Sequence, residues 1–206
     1  MNAQTCIEKL GYVGVLNFAT VDADGAPQVR NISAIHYEGT DLYFLTARGK
    51  PFARQLLRDG RVQISGYTRF KETIRLSGRA LPVPEAEQIR WRNVIYAEQP
   101  YLENVYPGET KNIDTIFVIK DYTIEYFCLS TRPITREYFA VGNAEIRPKG
   151  YEIDELLCVA CGTCAGVCPQ SAVAAGETYR ILPNHCLHCG NCFEHCPTGA
   201  VQPLGE

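Results

Sequence analysis

The chain has 206 residues, 46% of them apolar and 21% charged, which suits a globular protein built as one medium domain with an appendage or as two small domains. A net charge of −3 argues against a broad nucleic-acid footprint and against strong attraction to anionic membranes. The opening MNAQTCIEKLGYVG lacks a basic stretch before an apolar core, and no apolar run approaches the roughly 20 residues of a bilayer span, so a cytoplasmic setting is expected.

In chain order, Tyr12 to Val21 reads as an apolar, β-branched and aromatic strand ended by the turn Asp22-Ala23-Asp24-Gly25. A second strand runs from Gln28 to Tyr37, followed by Glu38-Gly39 as a hairpin signal, and a third from Asp41 to Thr46. Pro51 opens a helix with Phe52, Leu56 and Leu57 on one side. Arg61 to Tyr67 and Glu72 to Leu81 read as strands. Pro84 to Ala97 reads as a helix with Ala86, Ile89 and Val94 on its inner face. Ile113 to Leu129 reads as a hairpin turning near Lys120 and Asp121. Many short strands with few long helices predict an antiparallel barrel rather than a βαβ fold. The expected division is residues 1–141 as the barrel domain, 142–153 as a Gly, Pro and charge-rich linker, and 154–206 as a small cysteine-rich domain.

Ten cysteines are present, and eight of them fall between Cys158 and Cys196. Cys6 and Cys128 stand apart and read as buried small hydrophobes. A secreted disulfide scaffold would spread its cysteines and carry a signal peptide, so the cluster reads as metal ligation in a reducing compartment. The two halves are Cys158-x2-Cys161-x2-Cys164-x3-Cys168-Pro169 and Cys186-x2-Cys189-x2-Cys192-x3-Cys196-Pro197. Each cysteine recurs 28 positions on, as do Gly162 at Gly190 and Ala172-Val173 at Ala200-Val201. Three thiolates two residues apart can wrap one cubane face, and the fourth, beyond x3, reaches the other cluster. The first cluster would then use Cys158, Cys161, Cys164 and Cys196; the second would use Cys186, Cys189, Cys192 and Cys168. Zinc wants closed sets of four thiolates, which this three-plus-one pattern does not offer. His185, His188 and His195 flank the ligands, and with no cysteine missing they are expected to hydrogen-bond near the clusters or face solvent. The region resembles bacterial two-[4Fe–4S] ferredoxins over its full length, with a small α+β fold.

The segment LNFATVDADGAPQVRNISAIHYEGTDLYFLTARGKPFARQLL, with RVQISGYTRFKETIRLSGRA after it, resembles the FMN-binding split barrel of the pyridoxamine 5′-phosphate oxidase-like family. That resemblance implies a mainly β, antiparallel split barrel. It also implies a flavin held by Arg30, Asn31, Ile32 and Ser33 from the second strand, Leu45 and Thr46 at the end of the third, Lys50 on the phosphate and Thr73 near the ring. Chemically, Lys50 sits just before Pro51 at an expected helix start, where orphan amides favour anions, and Arg30 offers a bidentate contact from the next strand. Related split barrels bind deazaflavin or haem, and those alternatives stay open. The family's C-terminal substrate-binding stretch is replaced here by the cysteine module, which argues against pyridoxal phosphate synthesis. The resemblance further implies a homodimer. Trp91 and the aromatics from Tyr96 to Tyr106 either line the site or pack in the core.

Together these features predict an iron–sulfur flavoprotein oxidoreductase that exchanges single electrons between two [4Fe–4S] clusters and FMN, with a soluble redox partner and a small-molecule acceptor. An electron-transfer subunit of a larger redox complex is the alternative, and a redox sensor a third reading. No catalytic triad, Walker motif or GxGxxG fingerprint is present, so no Rossmann-type nicotinamide site is expected.

Overall fold

The computed structural model describes residues 1–205. It comprises two compact units, one of residues 1–68, 73–125 and 139–145, the other of residues 69–72, 126–138 and 146 onward.

The first unit opens on a helix, α1 (Ala3–Val13), where the sequence reading had only a strand from Tyr12. Cys6, Ile7 and Leu10 recur at helical spacing and are fully buried, and the Asn2 side chain caps the first turn by accepting the Thr5 N–H at 2.8 Å. Tyr12, read as the start of that strand, lies in the last turn of the helix and is 92% exposed. The strands follow as β1 (Leu16–Val21), β2 (Pro27–Ile32), β3 (Ile35–Glu38) and β4 (Asp41–Ala47), then helix α2 (Pro51–Asp59). In α2, Phe52 and Leu56 are buried as expected while Leu57 is exposed, one residue off the inward stripe. Next come β5 (Arg61–Tyr67), β6 (Glu72–Arg79), the short β7 (Leu81–Pro82), α3 (Glu85–Glu98), α4 (Leu102–Val105), β8 (Asp114–Ile119), β9 (Tyr122–Cys128) and β10 (Thr135–Val141). The β8–β9 turn falls at Lys120 and Asp121, where the sequence placed it.

Two sheets result, in the orders β10-β9-β6-β5-β1-β2 and β3-β4-β8-β7. Register decides which residues share a face. Arg30 lies opposite Phe18, Phe18 opposite Ile64 and Ile64 opposite Leu76, which makes an inward row. Asn31, Asn17, Ser65 and Arg75 form the neighbouring outward row. Phe18, Phe44 and Phe52 meet inside, with Phe18 and Phe44 ring centroids 4.9 Å apart. On its other side β4 packs Tyr43 and Leu45 against α3, where Trp91 stacks on Tyr43 at 3.8 Å.

Helix α3 corrects one expectation. Its buried residues are Gln88, Trp91, Arg92, Ile95 and Tyr96, while Ala86 and Ile89 are exposed and Val94 is half-buried. The inward stripe does keep helical spacing, but two of its members are polar with backbone groups to satisfy. The Gln88 amide donates to the Val83 carbonyl at 2.9 Å and its oxygen accepts the Ile116 N–H at 2.8 Å. Apolarity alone therefore pointed to the wrong face.

In the second unit, β11 (Gly150–Ile153) pairs antiparallel with the last strand. Between them lie α5 (Thr163–Gly166), β12 (Val173–Ala174), β13 (Arg180–Ile181) and α6 (Asn191–Glu194), with β14 (Val201–Leu204) closing the unit. Residues 150–153, read in the sequence as linker, are thus a strand. The 28-residue repeat reaches them as well, because Tyr151 and Ile153 recur at Tyr179 and Ile181.

If α3 needs hydrogen bonds on its inner face and not just bulk, Gln88→Leu will lower stability by about 1–3 kcal/mol, the cost of orphaning buried backbone groups. Urea unfolding of the purified chain measures it; an unchanged midpoint would show that bulk suffices.

Candidate redox centres

The eight clustered cysteines reach two cavities, and they do so across the repeat. Cys158, Cys161, Cys164 and Cys196 line one, with Tyr179 and Pro197. Cys186, Cys189, Cys192 and Cys168 line the other, with Tyr151 and Pro169. These are the two three-plus-one sets read from the spacing. Each tight loop turns into a short helix through a left-handed glycine, Gly162 with φ 77° and Gly190 with φ 79°. A Cβ at either would lie within 3 Å of the Tyr179 or Tyr151 hydroxyl oxygen, so the tyrosines close on the loops only because these positions are bare. Ala160 and His188, again 28 apart, share the left-handed conformation, as do Ser171 and Gly199.

Electrostatics differ among the thiols. The Thr163 hydroxyl, 3.4 Å from Cys161 Sγ, lowers the Cys161 thiol below its ordinary value. At Cys196 burial works upward, yet backbone N–H groups of Val201 and Thr198 bring the thiol below normal. Burial pushes Cys164 and Cys186 up, and Cys192 up to about 11. Buried thiols of this kind ionise readily only beside a strong positive charge, which a metal centre supplies. The cysteines ring the two cavities, four to each. His185 and His195 each direct Nδ1 to a backbone carbonyl, of Ile134 and Asn191 respectively, both at 2.9 Å, and the backbone N–H of His188 donates to Cys186 Sγ at 3.4 Å.

The barrel residues expected around a flavin divide into groups. Arg30 points inward, donating from Nη1 to the Thr20 hydroxyl at 2.6 Å and to the Phe18 carbonyl at 3.2 Å, and from Nη2 to Gln55 Oε1 at 2.9 Å. Its guanidinium also lies 4.4 Å from the Phe52 ring centre, so both terminal nitrogens are engaged within the fold. Lys50 is the N-cap of α2 with no side-chain cap bond; it is exposed, flanked by exposed Arg48 and Arg54, and lies 5.7 Å from the Tyr106 ring. Thr46 is buried on β4 opposite Thr115, whereas Leu45 faces α3. The Ser33 hydroxyl is 2.6 Å from that of Tyr101, and Ile32 follows Arg30 on the inward side. Asn31 shares the outward face with Thr73, but Thr73 lies three strands away on β6, roughly 14 Å at normal strand spacing. Within one chain, then, Arg30, Thr46 and Lys50 gather around α2, while Thr73 does not join them. Trp91 is core, only 3% exposed.

A group the sequence reading missed is Asp114, buried beside this end of β4 and paired with Ala47 across the ladder. Tyr96 donates to its Oδ2 at 2.7 Å, while Oδ1 has no partner. Desolvation raises this carboxyl above the ordinary range, although Arg92, Lys50 and Arg48 pull it down. Nothing in the local sequence distinguishes Asp114 from a hairpin-end carboxylate.

The pyridoxamine 5′-phosphate oxidase profile matches residues 5–118, and a 4Fe-4S dicluster domain profile matches residues 157–200. The chain belongs to the pyridoxamine 5′-phosphate oxidase family. Among solved structures, a NimC/NimA family protein of Clostridium acetobutylicum is 22% identical with a TM-score of 0.57, over 68% of this chain and 93% of that one. A pyridoxamine 5′-phosphate oxidase-related, FMN-binding protein of Nostoc punctiforme is 16% identical with a TM-score of 0.51, over 68% and 93%. A heme-binding protein of Mycobacterium smegmatis is 12% identical with a TM-score of 0.55, over 67% and 57%. At these identities the likeness establishes the fold: a split barrel of this family, followed here by an iron–sulfur domain. No curated protein matches the chain. No helix among the described residues is long and apolar enough to cross a membrane.

Tyr96→Phe removes the hydroxyl that donates to the Asp114 carboxylate and will cost about 1–3 kcal/mol near neutral pH. The hydroxyl favours the ionised carboxyl, so the loss should be full above the folded-state pKa, itself raised, and shrink as pH falls through it. Thermal melts of both proteins across that range check the sign; a loss that grows on acidification would contradict it.

Proposed function

We propose that this protein is an iron–sulfur flavoprotein oxidoreductase that passes single electrons between two [4Fe–4S] clusters and a bound FMN serving a small acceptor. The observation that carries the reading is the sorting of eight cysteines into two cavities, each with three from one motif and the fourth from the other, in a chain that also carries a barrel of a flavin-binding family type. When bound, clusters hold one electron each and the flavin one or two, which is the chemistry such a fusion needs.

The chain's own groups supply binding and orientation. Cys158, Cys161, Cys164 and Cys196 would ligate the first cluster, and Cys186, Cys189, Cys192 and Cys168 the second. At the barrel, the α2 N-terminus and the exposed cations Arg48, Lys50 and Arg54 fit a phosphate dianion. Arg30 holds the floor of that corner through Thr20, Gln55 and Phe52 instead of reaching out bidentately, so Lys50 takes the phosphate contact. Asn31 and Thr73 lie too far apart for one chain to bring both to one ring edge, which supports a homodimer in which two copies complete each site.

Anaerobic reconstitution with iron, sulfide and FMN tests this. The expected content is about eight irons per chain, with flavin absorbance bleached by dithionite. Cys196→Ala and Cys168→Ala should each lose about four irons, from opposite clusters. Lys50→Ala should weaken FMN binding by about tenfold, on the order of 1.4 kcal/mol. Absence of flavin uptake, or electron transfer only with an added complex, would favour an electron-transfer subunit without a substrate of its own.

A further inference from the structure

The repeat is symmetric in its cysteines but not in what surrounds them. Segment 131–137 of the second unit is hydrogen-bonded to the stretches that carry the second ligand set. The Ile134 N–H donates to Gln170 Oε1 at 2.9 Å, two residues after Cys168. The Ile134 carbonyl accepts from His185 Nδ1 at 2.9 Å, one residue before Cys186. Arg136 donates from Nε to the Cys186 carbonyl itself at 3.1 Å. The segment thus ties together the two separate stretches that supply Cys168 and Cys186. Arg136 is 7% exposed, with its guanidinium 4.4 Å from the Phe127 ring centre, so a formal positive charge sits in a desolvated position next to that ligand.

Counterpart positions in the first half lack these partners. His185 corresponds to Leu157 and Gln170 to Thr198. Hydroxyls approach the sulfurs there instead: Thr163 Oγ1 is 3.4 Å from Cys161 Sγ and Thr198 Oγ1 is 3.8 Å from Cys196 Sγ. Thr163 is replaced in the second half by Asn191, whose amide turns away to the Val167 carbonyl at 2.6 Å. One half has hydroxyl donors on sulfur; the other has a buried cation and a strap.

Resting on the two-cluster reading, we propose that segment 131–137 is a tuning strap specific to the second cluster, with Arg136 as the positioning residue that raises its reduction potential. A cluster gains one negative charge on one-electron reduction. A fixed cation in a low-dielectric site stabilises that added charge, as do hydrogen bonds polarising the ligand segment. The first cluster is tuned separately, by the Thr163 and Thr198 hydroxyls. The two halves therefore titrate under independent control.

The test is an EPR-monitored dithionite titration of the reconstituted full chain, dithionite giving one electron to each cluster and being itself oxidised. Arg136→Gln should lower the midpoint of one step by about tenfold in its reduction equilibrium, about 59 mV for one electron, and leave the other step in place. Thr163→Val should lower the other step. His185→Ala, which cuts a different tie of the strap, should move the step that Arg136→Gln moves, and it carries the comparison with Thr163→Val if Arg136→Gln does not take up iron. Arg136→Lys, keeping the charge, should leave both steps near wild type. The inference is overturned if strap and threonine variants move the same step, or if the strap variants move neither or both equally while about eight irons remain bound. A wild-type chain that takes up no iron overturns it together with the two-cluster reading.

Discussion

In the second unit, three of the cysteines that would bind metal are also part of the core. Cys164 and Cys192 are buried at its centre with Val201, and Cys196 packs against them beside Tyr151, Ile153, Val173, Tyr179 and Ile181. So small an apolar cluster cannot by itself offset the conformational entropy of more than fifty residues. Burial holds the Cys192 thiol up to about 11, so it stays neutral near pH 7 and ionises only where a bound positive charge favours the thiolate. Ligand ionisation and metal uptake would therefore be coupled in this unit. The crossing of Cys168 and Cys196 into opposite cavities makes neither half sufficient alone.

That dependence explains the tyrosines and the bare loop positions. Tyr151 lines the cavity of the second set and Tyr179 that of the first, each laid against the glycine that opens the next short helix. The aromatic rings form part of each cavity wall, and a side chain at Gly162 or Gly190 would push against the Tyr179 or Tyr151 hydroxyl.

The barrel works by a different division. Its inward row carries Phe18, Ile64 and Leu76 and admits Arg30 only because Thr20, Gln55 and the Phe18 carbonyl satisfy the guanidinium. Its polar corner gathers Arg48, Lys50 and Arg54 around the start of α2, close in sequence to the buried Asp114 ladder end at Ala47. An uncompensated buried carboxyl oxygen amid cations is a costly arrangement, of the sort found where a fold serves binding as well as stability.

Sequence by itself determined what local chemistry dictates. The Pro51 helix start and the β8–β9 turn follow from one residue's backbone preference or from local pattern, and each is where it was read; the spacing of the eight clustered cysteines matches the two cavities they line. The same 28-residue period, followed back to Tyr151, also marks β11, although that stretch reads as linker by composition. Only the tertiary structure decided the rest. The inner face of α3 holds Gln88 and Arg92 because backbone groups on other elements need partners, which no apolar pattern records. Arg30 turned inward because its partners lie 10 and 25 residues away, on β1 and α2. Arg136 came to rest on Cys186, 50 residues further along, because a hairpin end and a ligand loop meet in space. Contacts of that kind depend on where the chain returns to itself, and local preference carries no trace of them.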